Sequence, residues 1–391
     1  MPRLLAIALG LMLLVPMATG GTGAATTIQA EAAPQIEFIT LDAPSTDAMA
    51  QGSLDLSTVL AIEHAGAATR LDHYTLSQRL GYIQTEATRE PLIIGYVAQV
   101  NQQVADLWAR RQVARQRYRN GSIDAGRYLR ELAIVHARVG HLRPASIEDG
   151  GLDSAAARIR RRLETRVIGL EGPVTGAARD AFRGNRLPVT VYVKSASEGT
   201  VLATMDDGTY VREAYRADAR KLGENAPLGL STLVDQVLPR FYPETRNRST
   251  GSQVQQYSGR DLVKVRFDLN GGSVETYFDS DTRQPFFERH RFEQPGAFDR
   301  TAPTTAVASE GLRLSVTRTI TGGPLRIATT SNDTGRPVRS TVFFDGRRVR
   351  TNDEGIAWIL LPPGQEFLVR AAGPGGPVSL TIRPVAPTEI R

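Results

Sequence analysis

The side chains best suited to metal or acid–base chemistry are sparse and widely spaced in this sequence of 391 residues. None of the histidines forms an HExxH motif. His136 and His141 lie about 140° apart round a helix of ~3.6 residues per turn. Because the ligands of a metal must converge, no histidine metal site is predicted. Surface or helix-seam positions are the expectation for all five: His64, His73, His136, His141 and His290.

Nucleophilic catalysis lacks its usual residues. The chain contains no cysteine, and no serine lies in a G-x-S-x-G elbow. Without cysteine, a disulfide and a lipid-modified cysteine are also excluded. We therefore predict no catalytic residue and no cofactor.

Two acidic clusters suggest calcium at first sight, Asp206-Asp207 and Asp279-Ser-Asp281. An EF-hand loop needs further carboxylates, a central glycine and a terminal glutamate at fixed spacing. Glu288 lies in the right region, but Arg283 stands where a ligand is required. Aspartates that cap turns are the interpretation that this spacing favours, so no metal site is predicted.

Arginines carry the excess positive charge of the chain, whose formal net charge is +6 at pH 7. Residues 90–166 hold 14 arginines and 8 acidic residues, which accounts for the whole excess. If their helix faces converge, they form a patch for an anionic polymer or a lipid surface. A solvated helix face is the alternative, and sparse aromatic residues argue against specific nucleic acid recognition. The candidates are Arg110, Arg111, Arg115, Arg158, Arg160, Arg161 and Arg162.

Helices are predicted to position these arginines. Apolar residues step by threes and fours from Ile93 to Tyr118 and again from Tyr128 to Leu142, with Asn120-Gly-Ser122 between the two stripes. The pattern indicates a helical hairpin with a coiled-coil-like seam. A third helix is predicted to begin near Asp153 and to stop at Gly172-Pro173.

Beyond residue 185 the apolar period becomes two, which predicts strands. One helical stretch, 228–241, interrupts the strands, so an α+β domain with an antiparallel sheet is expected. If this domain bears a site, convergent acidic, arginine and tyrosine side chains would form it. The residues to consider are Asp206, Tyr210, Arg212, Tyr257 and Tyr277.

The N-terminus has the features of a secretory signal peptide. An apolar run from Leu4 to Val15 follows Arg3, and small residues before Ala25 suit cleavage. An uncleaved anchor is the alternative, although it needs ~20 apolar residues. Three sequons fall at turn-rich positions, where glycosylation or chance occurrence are both open. They begin at Asn120, Asn247 and Asn332.

The predicted organisation has six parts. They are a signal peptide (1–25), an extended N-terminal segment (26–74), an α-helical hairpin or bundle domain (75–184), an α+β antiparallel-sheet domain (185–294), a linker (295–308) and an all-β sandwich domain (309–386). Short apolar runs separated by Gly, Pro and Asp turns indicate the sandwich.

Four motifs follow one another in the C-terminal domain: Thr334-Gly-Arg-Pro-Val338, Val342-Phe-Phe-Asp-Gly346, Asp353-Glu-Gly355 and Pro362-Pro-Gly364. Their order resembles the carboxypeptidase-regulatory-like (transthyretin-like) module, which has an immunoglobulin-like sandwich. The resemblance implies a non-catalytic accessory module on an exported protein.

The strand pair Val201-Leu-Ala-Thr-Met-Asp-Asp-Gly-Thr-Tyr-Val-Arg-Glu213 completes a second resemblance. A signal peptide, a helical hairpin, this strand pair and a sandwich are together similar to uncharacterised exported multidomain proteins of halophilic archaea. Those proteins are usually acidic, whereas this chain is basic. The family has no established activity, so the resemblance implies no catalytic residue.

These observations predict a non-enzymatic exported or cell-surface protein that acts as a binding or structural component of the cell envelope. Its expected partner is an envelope polyanion or another surface protein, with membrane attachment only if the signal segment is uncleaved. Two alternatives stay open. One is an exported enzyme or enzyme inhibitor with a site in the α+β domain, and the other is binding of an anionic polymer by the arginine-rich helices.

Overall fold

The computed structural model describes residues 26–28, 37–42, 45–83, 85–142, 163–221, 227–257, 262–299, 301–373 and 376–386. The predicted signal segment, residues 1–25, lies outside this set. The described chain forms a helical layer, an eight-stranded sheet and a C-terminal sandwich. Among the described residues, no helix combines the length and the apolar character that a membrane crossing requires.

The described part of the helical layer includes the helices α1 (Leu56–Tyr82), α2 (Glu86–Arg119), α3 (Ala125–Leu142) and α4 (Pro173–Phe182). Helices α2 and α3 occupy the two stretches in which the apolar stripes predicted a hairpin. Their stripes face each other, because Val100, Val104 and Leu107 share a buried cluster with Val135 and Val139. The predicted start of the third helix, near Asp153, lies outside the described residues.

Helix α1 corrects the prediction of an extended segment over residues 26–74. Its described apolar side chains form no buried stripe. Leu60 is exposed, whereas Ile62 packs deeply against Ile134 and Ala137 of α3. Without a stripe, the helical period that marks an amphipathic helix is missing from the sequence. The helix is therefore supported more by its first turn and by residue propensity than by a buried face.

The first turn of α1 is held by Asp55. The Oδ1 atom of Asp55 accepts hydrogen bonds from the Thr58 amide at 2.8 Å and from the Ser57 hydroxyl at 2.5 Å. Its Oδ2 atom lies 2.8 Å from the Arg130 guanidinium of α3. One carboxylate thus caps α1 and ties it to the hairpin.

The central sheet has eight antiparallel strands. They are β2 (Thr46–Gly52), β3 (Val189–Ser195), β4 (Gly199–Asp206), β5 (Thr209–Arg216), β6 (Gly251–Gln256), β7 (Leu262–Leu269), β8 (Gly272–Asp279) and β9 (Pro285–Phe292). Their order is β2-β3-β4-β5-β9-β8-β7-β6. Asp207 and Gly208 both have positive φ in the turn between β4 and β5, as the predicted hairpin requires. Strand β2 was not predicted, because it has few apolar residues.

The sheet is covered on both faces. On one face Val191, Val193 and Leu202 pack with residues of α3 and α4. On the other face the strands pack against α5, which runs continuously through Leu230–Thr232, the π turn Leu233–Val237 and Leu238–Phe241. A short helix, α6 (Pro243–Arg248), follows α5 directly.

The sandwich consists of two antiparallel sheets with one core. Its strands are β1 (Thr26–Ile28), β10 (Thr304–Ser309), β11 (Leu312–Thr317), β12 (Pro324–Thr330), β13 (Thr341–Phe344), β14 (Arg347–Arg350), β15 (Ile356–Leu360), β16 (Phe367–Gly373) and β17 (Gly376–Ile382). The sheet orders are β1-β10-β11-β12-β15 and β14-β13-β16-β17. Because β10 is a strand, the predicted linker over 295–308 is wrong for its last residues, whose half-buried, small side chains give no strong apolar alternation.

The sandwich packs against the central sheet through a glycine. The Tyr210 hydroxyl donates a hydrogen bond to the Gly322 carbonyl at 3.1 Å. Gly322 has φ +76°, and a Cβ there would lie 2.3 Å from the ring of Tyr192. Ile320 and Leu360 join the same buried cluster as these tyrosines. Glycine is thus needed both for the backbone conformation and for the close approach.

Replacement of Asp55 by alanine is expected to lower the free energy of unfolding by about 1–2 kcal/mol at pH 7, because the α1 cap is lost. The pKa of Asp55 is lowered to about 2, and the hydrogen bond from the Ser57 hydroxyl makes the largest contribution. A carboxylate whose pKa is lower in the folded than in the unfolded chain stabilises the folded state at every pH above its unfolded pKa, ~3.9 for aspartate. This stabilisation disappears as the pH falls towards 2.

Urea unfolding at pH 7, 4 and 2.5 measures this difference between wild type and Asp55→Ala. The control is Asp353→Ala, which removes an exposed carboxylate paired with Arg339 and should change stability by less than about 0.5 kcal/mol. A difference between wild type and Asp55→Ala that is independent of pH would contradict the assigned cap.

Candidate functional site

A buried group of ionisable side chains lies inside the central sheet, on the face that packs against α5. Glu288 and His290 of β9 are fully buried, and Arg212 of β5 is 3% exposed. Glu288 Oε1 contacts His290 Nε2, and Glu288 Oε2 lies 4.0 Å from Arg212 Nη1. Strand pairing places Arg212 directly opposite His290, so the period-two pattern brings the three together.

The N-terminal segment, residues 37–42, closes over this cluster. The Ile39 amide donates to Glu288 Oε2 at 2.5 Å, and Arg212 donates to the Ile39 carbonyl. The Arg212 guanidinium also lies 4.9 Å from the centre of the Phe38 ring. Backbone and side-chain groups of the segment thus satisfy a buried charge that would otherwise be expensive to desolvate.

Glu37 fixes the same segment to α6. Its carboxylate accepts hydrogen bonds from the amides of Glu244 and Thr245 at 2.7 and 2.9 Å, and from the Thr245 hydroxyl at 2.8 Å. These amides belong to the first turn of α6, where backbone N–H groups lack helical partners. Glu37 therefore caps α6 from a position some two hundred residues away in sequence.

A carboxylate beside a histidine has the composition of an acid–base pair, but substrate must reach it. Glu288 and His290 have no exposed surface, and neither lines the cavities of about 380, 150 and 100 Å³ found in the described part of the chain. Burial lowers the pKa of His290 against the opposing attraction of Glu288. The contacts of the cluster hold the N-terminal segment against the sheet.

A second buried cluster lies on the opposite face, beneath the helices. Glu213 of β5 accepts hydrogen bonds from the amides of Val174 and Thr175, in the first turn of α4, at 2.9 and 3.4 Å. Burial raises the pKa of Glu213, although these amides lower it. Arg111 of α2 provides nearby positive charge, with its guanidinium 4.7 Å from the centre of the Tyr215 ring. Like the first cluster, this one connects elements.

The predicted anion-binding arginines do not form one exposed patch in the described part of the chain. Arg111 is 6% exposed, so its assignment to a binding surface is wrong: the residue packs under Tyr215. Arg110 pairs with Glu131 at 2.9 Å. Arg115 is half-buried, which lowers its pKa. The remaining candidates, Arg158, Arg160, Arg161 and Arg162, lie outside the described residues.

The candidates of the α+β domain are dispersed as well. Tyr210 and Arg212 lie on the α5 side of the sheet, whereas Tyr277 is buried on the helix side with half-buried Tyr257 against it. Asp206 is at the β4–β5 turn, in an ion pair with Arg186. No shared site is formed by these five, because alternate residues of a strand face opposite sides of the sheet.

The acidic and glycosylation candidates lie mostly at turns, but Asn247 lies within α6. Asp279 Oδ1 accepts the amides of Asp281 and Thr282, each at 3.0 Å, which is the turn-capping role that its spacing favoured. Among the described residues, no three His, Asp or Glu side chains are grouped to hold a metal ion. The sequon residues are all exposed: Asn120, Asn247 and Asn332.

An accessible cavity of about 380 Å³ lies between the central sheet and the sandwich; we call it the interface groove. Apolar side chains form much of its wall, among them Met49, Leu187 and Trp358, and Leu187 is 81% exposed. Arg186 and Arg347 provide cationic groups at its rim. Cavities at the junction of two modules are common binding sites. Sequence patterns missed it because its wall is built from five separate stretches of the chain.

Comparison with known proteins finds two matching segments, one in the central sheet and one in the sandwich. Residues 191–295 match a family of unknown function, DUF7094. Residues 303–380 match the archaeal fibronectin-III type-like domain, which indicates an archaeal protein with a C-terminal β-sandwich. No curated protein matches the chain. The first match includes the sheet clusters around Glu288 and Glu213, but neither α1 nor the sandwich wall of the interface groove.

Replacement of His290 by glutamine is expected to make the free energy of unfolding depend less steeply on pH below pH 7.5. Since burial lowers the folded pKa of His290, the unfolded chain takes up a proton below ~6.5 more readily than the folded one. Wild type should therefore lose stability at this residue as the pH falls from 7.5 to 5, by up to ~1.4 kcal/mol per pH unit.

Urea unfolding of wild type and His290→Gln across that range gives the two slopes. The exposed His64 provides a matched variant, His64→Gln, which removes a histidine without changing the buried cluster. Equal slopes for all three proteins would show that His290 does not titrate on unfolding as its burial requires.

Proposed function

We propose that this chain is a non-enzymatic exported protein that binds a component of the cell envelope in the interface groove. One observation carries the proposal. The groups with the composition of an acid–base site, Glu288 with His290, are fully buried. By contrast, the accessible interface groove is lined by apolar side chains together with arginines and aspartates. Such walls suit binding and orientation more than proton transfer.

Export is supported by the N-terminal sequence and by the type of C-terminal module. The apolar run from Leu4 to Val15, with small residues before Ala25, has the features of a cleaved signal. The similarity to exported proteins of halophilic archaea is part of the same proposal. A surface protein built from a sheet and a sandwich then presents its groove to the envelope from outside the cell.

The groove walls indicate the kind of ligand. Leu187 and Trp358 offer apolar surface, while Arg186 and Arg347 are positioned to pair with an acidic group. Arg186 already pairs with Asp206, which leaves Arg347 as the more available cation. Three aspartates also line the groove, Asp206, Asp207 and Asp345. The ligand that fits is therefore a segment of an envelope polymer or surface protein with an apolar face and polar groups of either charge.

Co-sedimentation with washed archaeal envelopes tests the proposal. The purified chain is expected to sediment with them, and Leu187→Asp should reduce the bound fraction several-fold, because a carboxylate replaces exposed apolar surface beside Asp206. Leu230→Asp is the matched control, since Leu230 is 54% exposed at the start of α5, outside the groove.

Two results would contradict the proposal. Equal sedimentation of wild type, Leu187→Asp and Leu230→Asp would show that the groove is not the binding site. Recovery of the chain from the cytoplasm of producing cells, with residues 1–25 still attached, would contradict the proposed export. Surface recovery with a new N-terminus near residue 26 is the expected result, measured by mass spectrometry of the intact protein.

A further inference from the structure

The outer face of the smaller sandwich sheet, β14-β13-β16-β17, departs from the usual pattern of a solvent-facing sheet. Inward residues such as Val342, Val369 and Leu380 are buried in the sandwich core. Polar residues are expected on the other side, yet Phe343 and Leu368 are 45% and 57% exposed there. Two large apolar side chains on one solvent-facing sheet mark it as a candidate interaction surface.

Strand register surrounds the phenylalanine with cations. Phe343 of β13 lies directly opposite Arg348 of β14 on one side and Arg370 of β16 on the other. Since neighbouring strands are ~4.8 Å apart, the two arginine backbones lie roughly 10 Å from each other with the phenylalanine between them. Arg350 faces the same way, opposite Thr341. We call Phe343, Arg348, Arg350, Leu368 and Arg370 the arginine face.

These cations have no carboxylate partner within the described part of the chain. Elsewhere in the sandwich Arg339 pairs with Asp353 and Arg383 with Glu366. By contrast, the outward positions of β13, β14, β16 and β17 contain no aspartate or glutamate. The nearest acidic residue along β13 is Asp345, in the turn that borders the interface groove. The arginine face is therefore an uncompensated positive surface with an aromatic ring at its centre.

We propose that the arginine face binds a carboxylated polysaccharide. A planar guanidinium matches a carboxylate with two parallel hydrogen bonds, and an exposed aromatic ring packs against the apolar face of a sugar ring. A polymer of acidic sugars offers both features repeatedly along one chain. A single ring gives too little stacking for single-stranded nucleic acid, which uses successive aromatic platforms.

The arginine face extends the prediction of a polyanion partner to a different part of the molecule. Arg348 also borders the interface groove, but Phe343, Arg350 and Arg370 do not line it. Variants at those three residues therefore test the arginine face separately from the groove. Binding to a purified polysaccharide is also independent of where the protein is located in the cell.

The test uses the full purified chain and immobilised polygalacturonate as the probe. Wild type is expected to bind at low salt, with an affinity that falls as salt is raised. Phe343→Ser should weaken binding roughly tenfold through the lost stacking, and Arg350→Ser with Arg370→Ser by at least as much. Fully methyl-esterified polygalacturonate, which lacks the charges, should not bind.

Matched controls keep the test specific. Arg313→Ser removes an exposed arginine from β11, on the other sheet of the sandwich, and should bind like wild type. All changed residues are exposed, so the melting temperature checks that each variant is folded.

The proposal is overturned if Phe343→Ser and the double arginine variant bind as tightly as Arg313→Ser. It is also overturned if polyglutamate binds as tightly as polygalacturonate and is unaffected by Phe343→Ser, because the face would then attract any acidic polymer. Preference for polygalacturonate that depends on both Phe343 and the arginines is the expected result.

Discussion

The buried carboxylate of Glu288 is the interaction on which the arrangement of the N-terminal segment depends. A carboxylate without solvent needs hydrogen-bond donors or an opposite charge nearby. The Ile39 amide and His290 make hydrogen bonds with Glu288, and the Arg212 guanidinium lies 4.0 Å from it. Only His290 is close in sequence. The charge on the central sheet is thus satisfied only when residues 37–42 lie across it, which fixes the position of the segment before β2 begins.

The same sheet connects every other part of the molecule. One face holds Glu213, whose carboxylate meets the first turn of α4 and secures the helical layer. The other face holds Tyr210, whose hydroxyl reaches the Gly322 carbonyl in the sandwich. Both residues belong to β5, the strand beside β9 at the centre of the sheet. Because alternate residues of one strand point to opposite faces, a single strand positions both covering layers.

Much of this architecture could be predicted from the sequence where local pattern determines structure. The seam of α2 and α3, the strands with period two and the Asp207-Gly208 turn all carry local signals. Helix α1 and strands β2 and β10 carry weak ones, since few of their apolar residues are buried. The burial of Arg111 and the walls of the groove depend on contacts between distant segments, which no spacing along the chain reveals.

Strand β1 can pair only after a distant part of the chain has been synthesised. Thr26 pairs with Ala306, so the first described residues form the edge of a sheet whose other strands come from the last third of the chain. During synthesis from the N-terminus, β1 and the 37–42 segment must wait for partners made much later, and such long-range closures are slow. A chain interrupted before β9 retains a loose N-terminal segment. Proteases would recognise it, and unfinished molecules would be cleared selectively while complete ones are protected.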